Sequence, residues 1–241
     1  MDNHILQIRD LEGLIRLHPQ IVDLDEFTDE CLDHVFRLCG ALWKYSGDPK
    51  KPHVEISGGF CSDGFVNLRR VLCHPKLCEI MAMVTVDRLR RNREFGPLRV
   101  NWVVGSDHTS ATFSYEVAKH LGAKHQFTER GPDGSQLWRL DTIGPQEIVL
   151  QVEALISTAR TVKAVRHGLR IGNAHPINFF PAILTLASRS KEHMIDDIYP
   201  IISVRHYEMD SWTRDDCPLH KEGSVSIHKP EHHWHMLTGN L

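Results

Sequence analysis

Ile148-Val-Leu-Gln-Val-Glu-Ala-Leu-Ile-Ser-Thr-Ala-Arg-Thr161, running straight into Val162-Lys-Ala-Val-Arg-His-Gly168, is the stretch on which the reading of the fold turns. An apolar, β-branched run ends at Glu153, and small hydroxyl residues with one basic residue then open an amphipathic helix. The order is strand, turn, helix N-terminus. The first N–H groups of a helix lack intrahelical partners and the helix dipole favours an anion, so such a turn suits a phosphate. We expect Ser157, Thr158, Ala159, Arg160 and Thr161 to grip the 5-phosphate of a ribose, with Glu153 orienting the sugar.

Outward from this stretch, strands and helices alternate. Strands are predicted at Val100–Val104, His125–Glu129, Gln136–Leu140, Ile148–Val152 and Phe180–Ala187, and helices at Pro75–Arg91, Ser114–Leu121 and Thr161–Leu169. This alternation predicts a mostly parallel sheet flanked by helices, with ligands beyond the carboxyl ends of the strands. Upstream, Phe27, Cys31, Leu32, Val35, Phe36, Cys39, Leu42 and Trp43 recur at helical spacing. Ser46–Pro52 breaks that helix, and strands near His53–Ser57 and Phe65–Leu68 bracket a Gly58–Gly64 loop. The expected organisation is an N-terminal helical segment (1–48), an α/β domain (49–210) and a C-terminal tail (211–241).

The chain has 241 residues, 41% of them hydrophobic, enough for one substantial core. A net charge of −3 gives no electrostatic case for nucleic acid or an anionic membrane. No apolar run reaches the roughly 18 residues that span a bilayer. Without a signal-peptide pattern, and with six cysteines lacking framework spacing, a cytoplasmic protein with reduced thiols is expected. Cys217 and His220, three apart, make half of a zinc site; no second pair follows at a matching spacing, so a solvated tail is preferred, with no metal.

His53-Val-Glu-Ile-Ser-Gly-Gly-Phe-Cys-Ser-Asp-Gly-Phe-Val-Asn67, Trp102–Gly122, Phe127–Arg130, Ile148–Thr161, Leu186–Ser190 and Cys217–Gly223 together resemble the orotate phosphoribosyltransferase family, in the right order. The resemblance implies a type I phosphoribosyltransferase fold with a small hood, a homodimer, and a nucleotide-related small-molecule substrate. It also implies that Arg189 reads the base through its forked donor, the alternative being a surface arginine after a strand. Phe65 is either a wall against the base or core packing.

Several residues depart from the family pattern. Its adjacent acidic pair is Glu153-Ala154 here, and its loop glycines are Ala159 and Arg160. Ala159 forced to positive φ would cost roughly 1 kcal/mol. The diphosphate loop reads Ser106-Asp107-His108-Thr109-Ser110, where a carboxylate about 4 Å from a phosphate would repel it by several kcal/mol. Arg130–Ser135 is a tight turn without the family's lysine, and Ile56 replaces another lysine.

These losses lead to a first expectation: cleavage of, or transfer across, the N-glycosidic bond of a pyrimidine nucleoside 5-monophosphate. Asp107 would stabilise or trap the sugar cation, and His108 would protonate the departing base. The alternatives are that Asp107 caps a helix and His108 is merely exposed. Two other functions stay open: a phosphoribosyltransferase making a nucleotide from base and phosphoribosyl diphosphate, and a non-catalytic nucleotide-binding protein. No cofactor is expected, and magnesium only if the diphosphate is used.

Overall fold

The computed structural model describes residues 4–56, 58–139 and 141–238. Ser57 and Leu140, expected ends of two strands, lie outside the described residues. The chain opens with helices α1 (His4–Gln7), α2 (Leu11–Arg16) and α3 (Asp29–Leu38). Thr28 caps α3 by accepting from the Cys31 N–H, and Cys31, Leu32, Val35 and Phe36 form its buried stripe. The expected helix does not reach Leu42 and Trp43. Gly40 adopts a left-handed φ of 61° and stops it, and Leu42–Lys44 becomes strand β1.

Strands β2 (His53–Ile56) and β3 (Phe60–Ser62) form a hairpin, so the expected Gly58–Gly64 loop contains a strand. Strand β4 (Gly64–Val66) pairs with β1. Helices α4 (Arg69–Leu72) and α5 (Pro75–Arg90) lead to β5 (Trp102–Gly105), α6 (Thr109–Leu121) and β6 (Lys124–Phe127). A small hairpin, β7 (Glu129–Arg130) and β8 (Gln136–Leu137), precedes β9 (Ile148–Ile156), α7 (Arg160–Gly172) and β10 (Asn178–Ser188). Then come β11 (Met194–Ile195), β12 (Tyr199–His206), β13 (Ser211–Trp212), α8 (Pro218–Lys221), β14 (Ser226–His228) and α9 (Trp234–Thr238).

The central sheet has the order β11-β12-β10-β9-β5-β6, parallel throughout except for the β11 edge. From β5 the chain moves outward to β6, then crosses back to β9 and continues to β10 and β12. The winding therefore reverses between β5 and β9, and this is the switch point where ligands bind in such sheets. The sheet is covered on both faces. Leu150, Val152 and Ala154 of β9 join α3, α5 and α6 in the large core, while Val149 packs with Val165 and Leu169 of α7 on the opposite face. The N-terminal helices share the large core through Ile5, Leu14 and Phe36.

A second sheet, β13-β3-β2-β14, forms the hood. Residues 211–228, expected to be solvated, supply two of its strands. Among the described residues no helix is long and apolar enough to cross a membrane.

One glycine fixes how closely α7 approaches the hairpin. A Cβ on Gly168 would sit 2.0 Å from the Gln136 carbonyl oxygen. In an unconstrained helix interior, alanine would gain up to about 1 kcal/mol over glycine. Here the clash reverses the sign: Gly168→Ala should destabilise by about 1–3 kcal/mol in urea denaturation. A stabilised variant would contradict this packing.

Candidate active site at the switch point of the sheet

Helix α7 begins immediately beyond the carboxyl end of β9. Its N-cap is Ala159 at φ −69°, with no side-chain cap. The expected strain at positive φ is therefore absent, and Ala159 fits because it is buried with Ile156, Val162 and Ile183. The side chains of Ser157, Thr158, Arg160 and Thr161 are exposed. Among the described residues they have no hydrogen-bond or ion-pair partner. The opening N–H groups of a 13-residue helix thus stand beside three hydroxyls and a guanidinium, all free to meet an anion.

The loop after β5 forms the other lip. Gly105 is required there: a Cβ would lie 2.4 Å from Ser114 Oγ and 2.7 Å from the Ser110 carbonyl oxygen. Helix α6 has His108 as its N-cap residue, whose φ of 59° and ψ of −122° are strained for a non-glycine residue, and it too has no side-chain cap. Two uncapped helix N-termini therefore flank the switch point.

Asp107 is not a helix cap. Its Oδ1 accepts from Gln136 Nε2 at 2.8 Å, and its Oδ2 lies 3.1 Å from His108 Nε2. The Asp107 side chain is 15% exposed and that of His108 76%. The carboxylate expected to repel a diphosphate is thus drawn back toward β8, and the His108 ring faces solvent.

A buried polar chain joins the two lips. Ser106 Oγ donates to Glu153 Oε2 at 2.6 Å, and Gln151 Nε2 donates to Oε1 at 3.0 Å. Arg166 Nε, from α7, donates to Gln151 Oε1 at 3.2 Å. The guanidinium of Arg166 lies 3.7 Å from the Tyr199 ring centroid and 4.3 Å from that of Phe179. Ser110 Oγ accepts from the Ala154 N–H at 3.1 Å. Glu153 is 2% exposed, and both its oxygens are engaged. Its geometry suits holding the Ser106 loop rather than presenting a carboxylate to a sugar. Burial raises its pKa above the usual carboxylate range, against the hydrogen bonds from Ser106 and Gln151. Only the strand pattern around Gln151 and the helical pattern around Arg166 are visible in sequence; nothing there signals that they form a chain.

Arg189, just past β10, is 8% exposed and reaches the hood. It donates to the Gly64 carbonyl at 3.0 Å, Ser62 Oγ at 3.3 Å and Ser211 Oγ at 2.8 Å. It is not a surface arginine; it ties the hood to the sheet. Phe65 of β4 is half-buried and packs 6.1 Å from Trp234 of α9, ring centroid to centroid. Cys217 is fully buried, and with His220 it meets His53 and Cys61 inside the hood, so the expected solvated tail is overturned.

A parallel sheet reversing between β5 and β9, a hood, and two helix N-termini at the reversal define a phosphoribosyltransferase-type scaffold. The comparisons agree. No family model matches the chain. It is 28% identical over 180 residues to the orotate phosphoribosyltransferase of Caldanaerobacter subterraneus subsp. tengcongensis, covering 75% of this chain and 88% of that one. It is 28% identical over 199 residues to the Heliobacterium modesticaldum enzyme of the same name, covering 83% and 95%. Among solved structures, the Aeropyrum pernix orotate phosphoribosyltransferase aligns with a TM-score of 0.51 at 14% identity, over 73% of this chain and 93% of that one. Leishmania donovani UMP synthase aligns with a TM-score of 0.55 at 13% identity over 73% of this chain, which spans about a third (35%) of that longer protein. The chain is a homologue of the orotate phosphoribosyltransferases and carries the type I phosphoribosyltransferase fold.

The raised pKa of Glu153 makes a signed prediction. The folded state holds this proton more tightly than the unfolded chain, whose glutamate titrates near about 4.3. The stabilisation is complete below that value and is lost as pH rises through the folded pKa. Glu153→Gln removes the linkage, so its Tm relative to the native chain should rise as the pH is raised from about 4. A pH-independent difference would contradict the assignment.

Proposed function

We propose that this protein is a pentosyltransferase that joins a pyrimidine base to the ribose 5-phosphate unit of phosphoribosyl diphosphate. The observation that carries the reading is the pair of uncapped helix N-termini across the switch point, one for each phosphate-bearing end of that donor. The start of α7, with Ser157, Thr158, Arg160 and Thr161, holds the 5-phosphate. The start of α6 and the Ser106–Thr109 backbone receive the diphosphate. The C1–O bond to diphosphate breaks and the C1–N bond to the base forms, while the base nitrogen gives up its proton. Positive charge builds on the sugar between these steps, and the site's contribution is to fix both ends of the donor about that carbon.

The homologues' name makes orotate the first base to try. Arg189 acts on that side as a positioning residue, because its donors already hold the hood. By the same likeness the enzyme works as a homodimer.

Magnesium, which the fold family implies, has no carboxylate ligand at the signature. Glu153 is buried with both oxygens engaged, and Ala154 has no donor. The residues present do not fit a protein-held ion, and no step here runs through one.

A second reading, base release from a pyrimidine nucleoside 5-monophosphate, is favoured by one feature: Asp107 Oδ2 is buried and accepts no hydrogen bond of good geometry, its nearest polar neighbour being His108 Nε2 at 3.1 Å. Chromatography separates the two. Orotate, uracil or cytosine with phosphoribosyl diphosphate and magnesium should yield nucleotide, and the monophosphates alone should yield no base. Base release without diphosphate would overturn the transferase reading. A charge-assisted hydrogen bond contributes about 1.5–3 kcal/mol, so Arg160→Ala should weaken phosphoribosyl diphosphate binding by about 10- to 100-fold. Unchanged affinity would remove Arg160 from the phosphate site.

A further inference from the structure

The hood is small. Its own apolar cluster holds three buried residues, Cys61, Cys217 and Leu219, with Tyr45 and Trp212 partly buried against them. Its strands are two to four residues long. So little buried surface rarely stabilises a subdomain without a covalent or metal cross-link.

At the centre of this cluster four side chains with metal-ligating atoms converge. His53 lies on β2, Cys61 on β3, Cys217 caps α8 and His220 lies within α8. Cys61 pairs directly with Glu55, so His53, two residues before Glu55, shares the Cys61 face of the hairpin. The ligating atoms of all four lie within 4.8 Å of one another. Cys61 Sγ is 3.4 Å from His220 Nδ1, and Cys217 Sγ is 3.7 Å from His53 Nε2. In a tetrahedral zinc site with Zn–S about 2.3 Å and Zn–N about 2.0–2.1 Å, sulfur and nitrogen ligands stand about 3.6 Å apart. His53, Cys61 and Cys217 are buried, at 0%, 1% and 0% exposure, so the arrangement is closed.

The outer contacts orient the imidazole as a ligand. Ser224 Oγ donates its single proton to the Lys51 carbonyl at 2.7 Å. That oxygen must then accept from His53 Nδ1–H, 2.9 Å away, which leaves the Nε2 lone pair aimed at the sulfurs. Metal-bound histidines are commonly fixed in this way through the second nitrogen.

We propose that His53, Cys61, Cys217 and His220 form a structural zinc site that fastens the C-terminal segment to the β2–β3 hairpin and so holds the hood together. Binding replaces the two thiol protons, which pass to solvent, and two thiolates with two neutral imidazoles leave a net-neutral centre. Two sulfur and two nitrogen ligands in a closed tetrahedral set favour zinc over magnesium or calcium. The site is separate from the switch point. Its link to that region is β3, where Ser62, next to Cys61, accepts from Arg189.

The test is metal analysis of the full chain, purified without chelator from zinc-supplemented medium. About one zinc per chain is expected, with at least a tenfold loss in Cys217→Ser and no loss in Cys73→Ser, whose exposed thiol lies elsewhere. Metal-free native chain titrated with cobalt should show thiolate-to-cobalt charge-transfer bands and the visible bands of a tetrahedral ion. This second readout decides the matter if Cys217→Ser does not fold. Absence of both zinc and cobalt bands, a Cys61–Cys217 disulfide in the purified chain, or zinc retained in full by Cys217→Ser would each overturn the proposal. The last result would place the metal elsewhere, as on the C-terminal histidines.

Discussion

A single buried carboxylate organises this molecule. Glu153 sits within the sheet, on the strand that closes the switch point, and among the described residues no charged side chain is bonded directly to it. Leaving such a group unpaired would cost several kcal/mol, so the surrounding donors are fixed by it as much as it is by them. Ser106 is drawn in from the β5 loop, and Gln151 turns toward it from two residues back. Arg166 completes the chain from α7, its charge spread over the faces of Tyr199 and Phe179. The start of one helix and the loop before another are thereby held in register across β9. In a partly satisfied network of this kind the loss of one member affects the others, since each supplies a hydrogen bond its neighbour has no other way to make.

This constraint explains how the site tolerates its unusual residues. An aspartate in the loop proposed to receive a diphosphate is unfavourable only if it faces that group. Gln136, on the β7–β8 hairpin, takes Asp107 Oδ1 and draws the side chain away. The hairpin is itself pressed against α7 through Gly168. Alanine in place of a loop glycine is likewise harmless, since the backbone at Ala159 is helical. The strain sits instead at His108, one residue before α6 begins. Non-glycine residues persist in such conformations when the surroundings dictate them, and they gather where a backbone must meet a ligand.

Much of this was legible in the sequence, and the reasons differ between elements. The β9–α7 stretch was read correctly because period-2 and period-3.6 patterns abut there with a hydroxyl-rich turn between them. The parallel order followed from strand–helix alternation. Helix α3 was drawn too long because Leu42 and Trp43 continue its spacing, whereas Gly40 breaks the backbone in a way periodicity does not record. Polar side chains inside the fold were the least legible. Glu153 stands out in the sequence as the acid before a phosphate turn, but its burial and its bonds to Ser106 and Gln151 depend on which neighbours cover that face of the strand, and periodicity does not record them. Arg189 stands out through the family resemblance, yet its observed partners Ser62, Gly64 and Ser211 lie far away in sequence. The same distance concealed the pairing of His53 and Cys61 with Cys217 and His220.

The uncapped start of α7 is the proposed seat of a pentose 5-phosphate. Amide hydrogen exchange with and without ribose 5-phosphate tests it directly, with unphosphorylated ribose as the control. Slowed exchange is expected in the peptide spanning residues 157–163 with the phosphorylated sugar only. Saturable binding of ribose 5-phosphate with unchanged exchange across that peptide, and protection elsewhere, would contradict it.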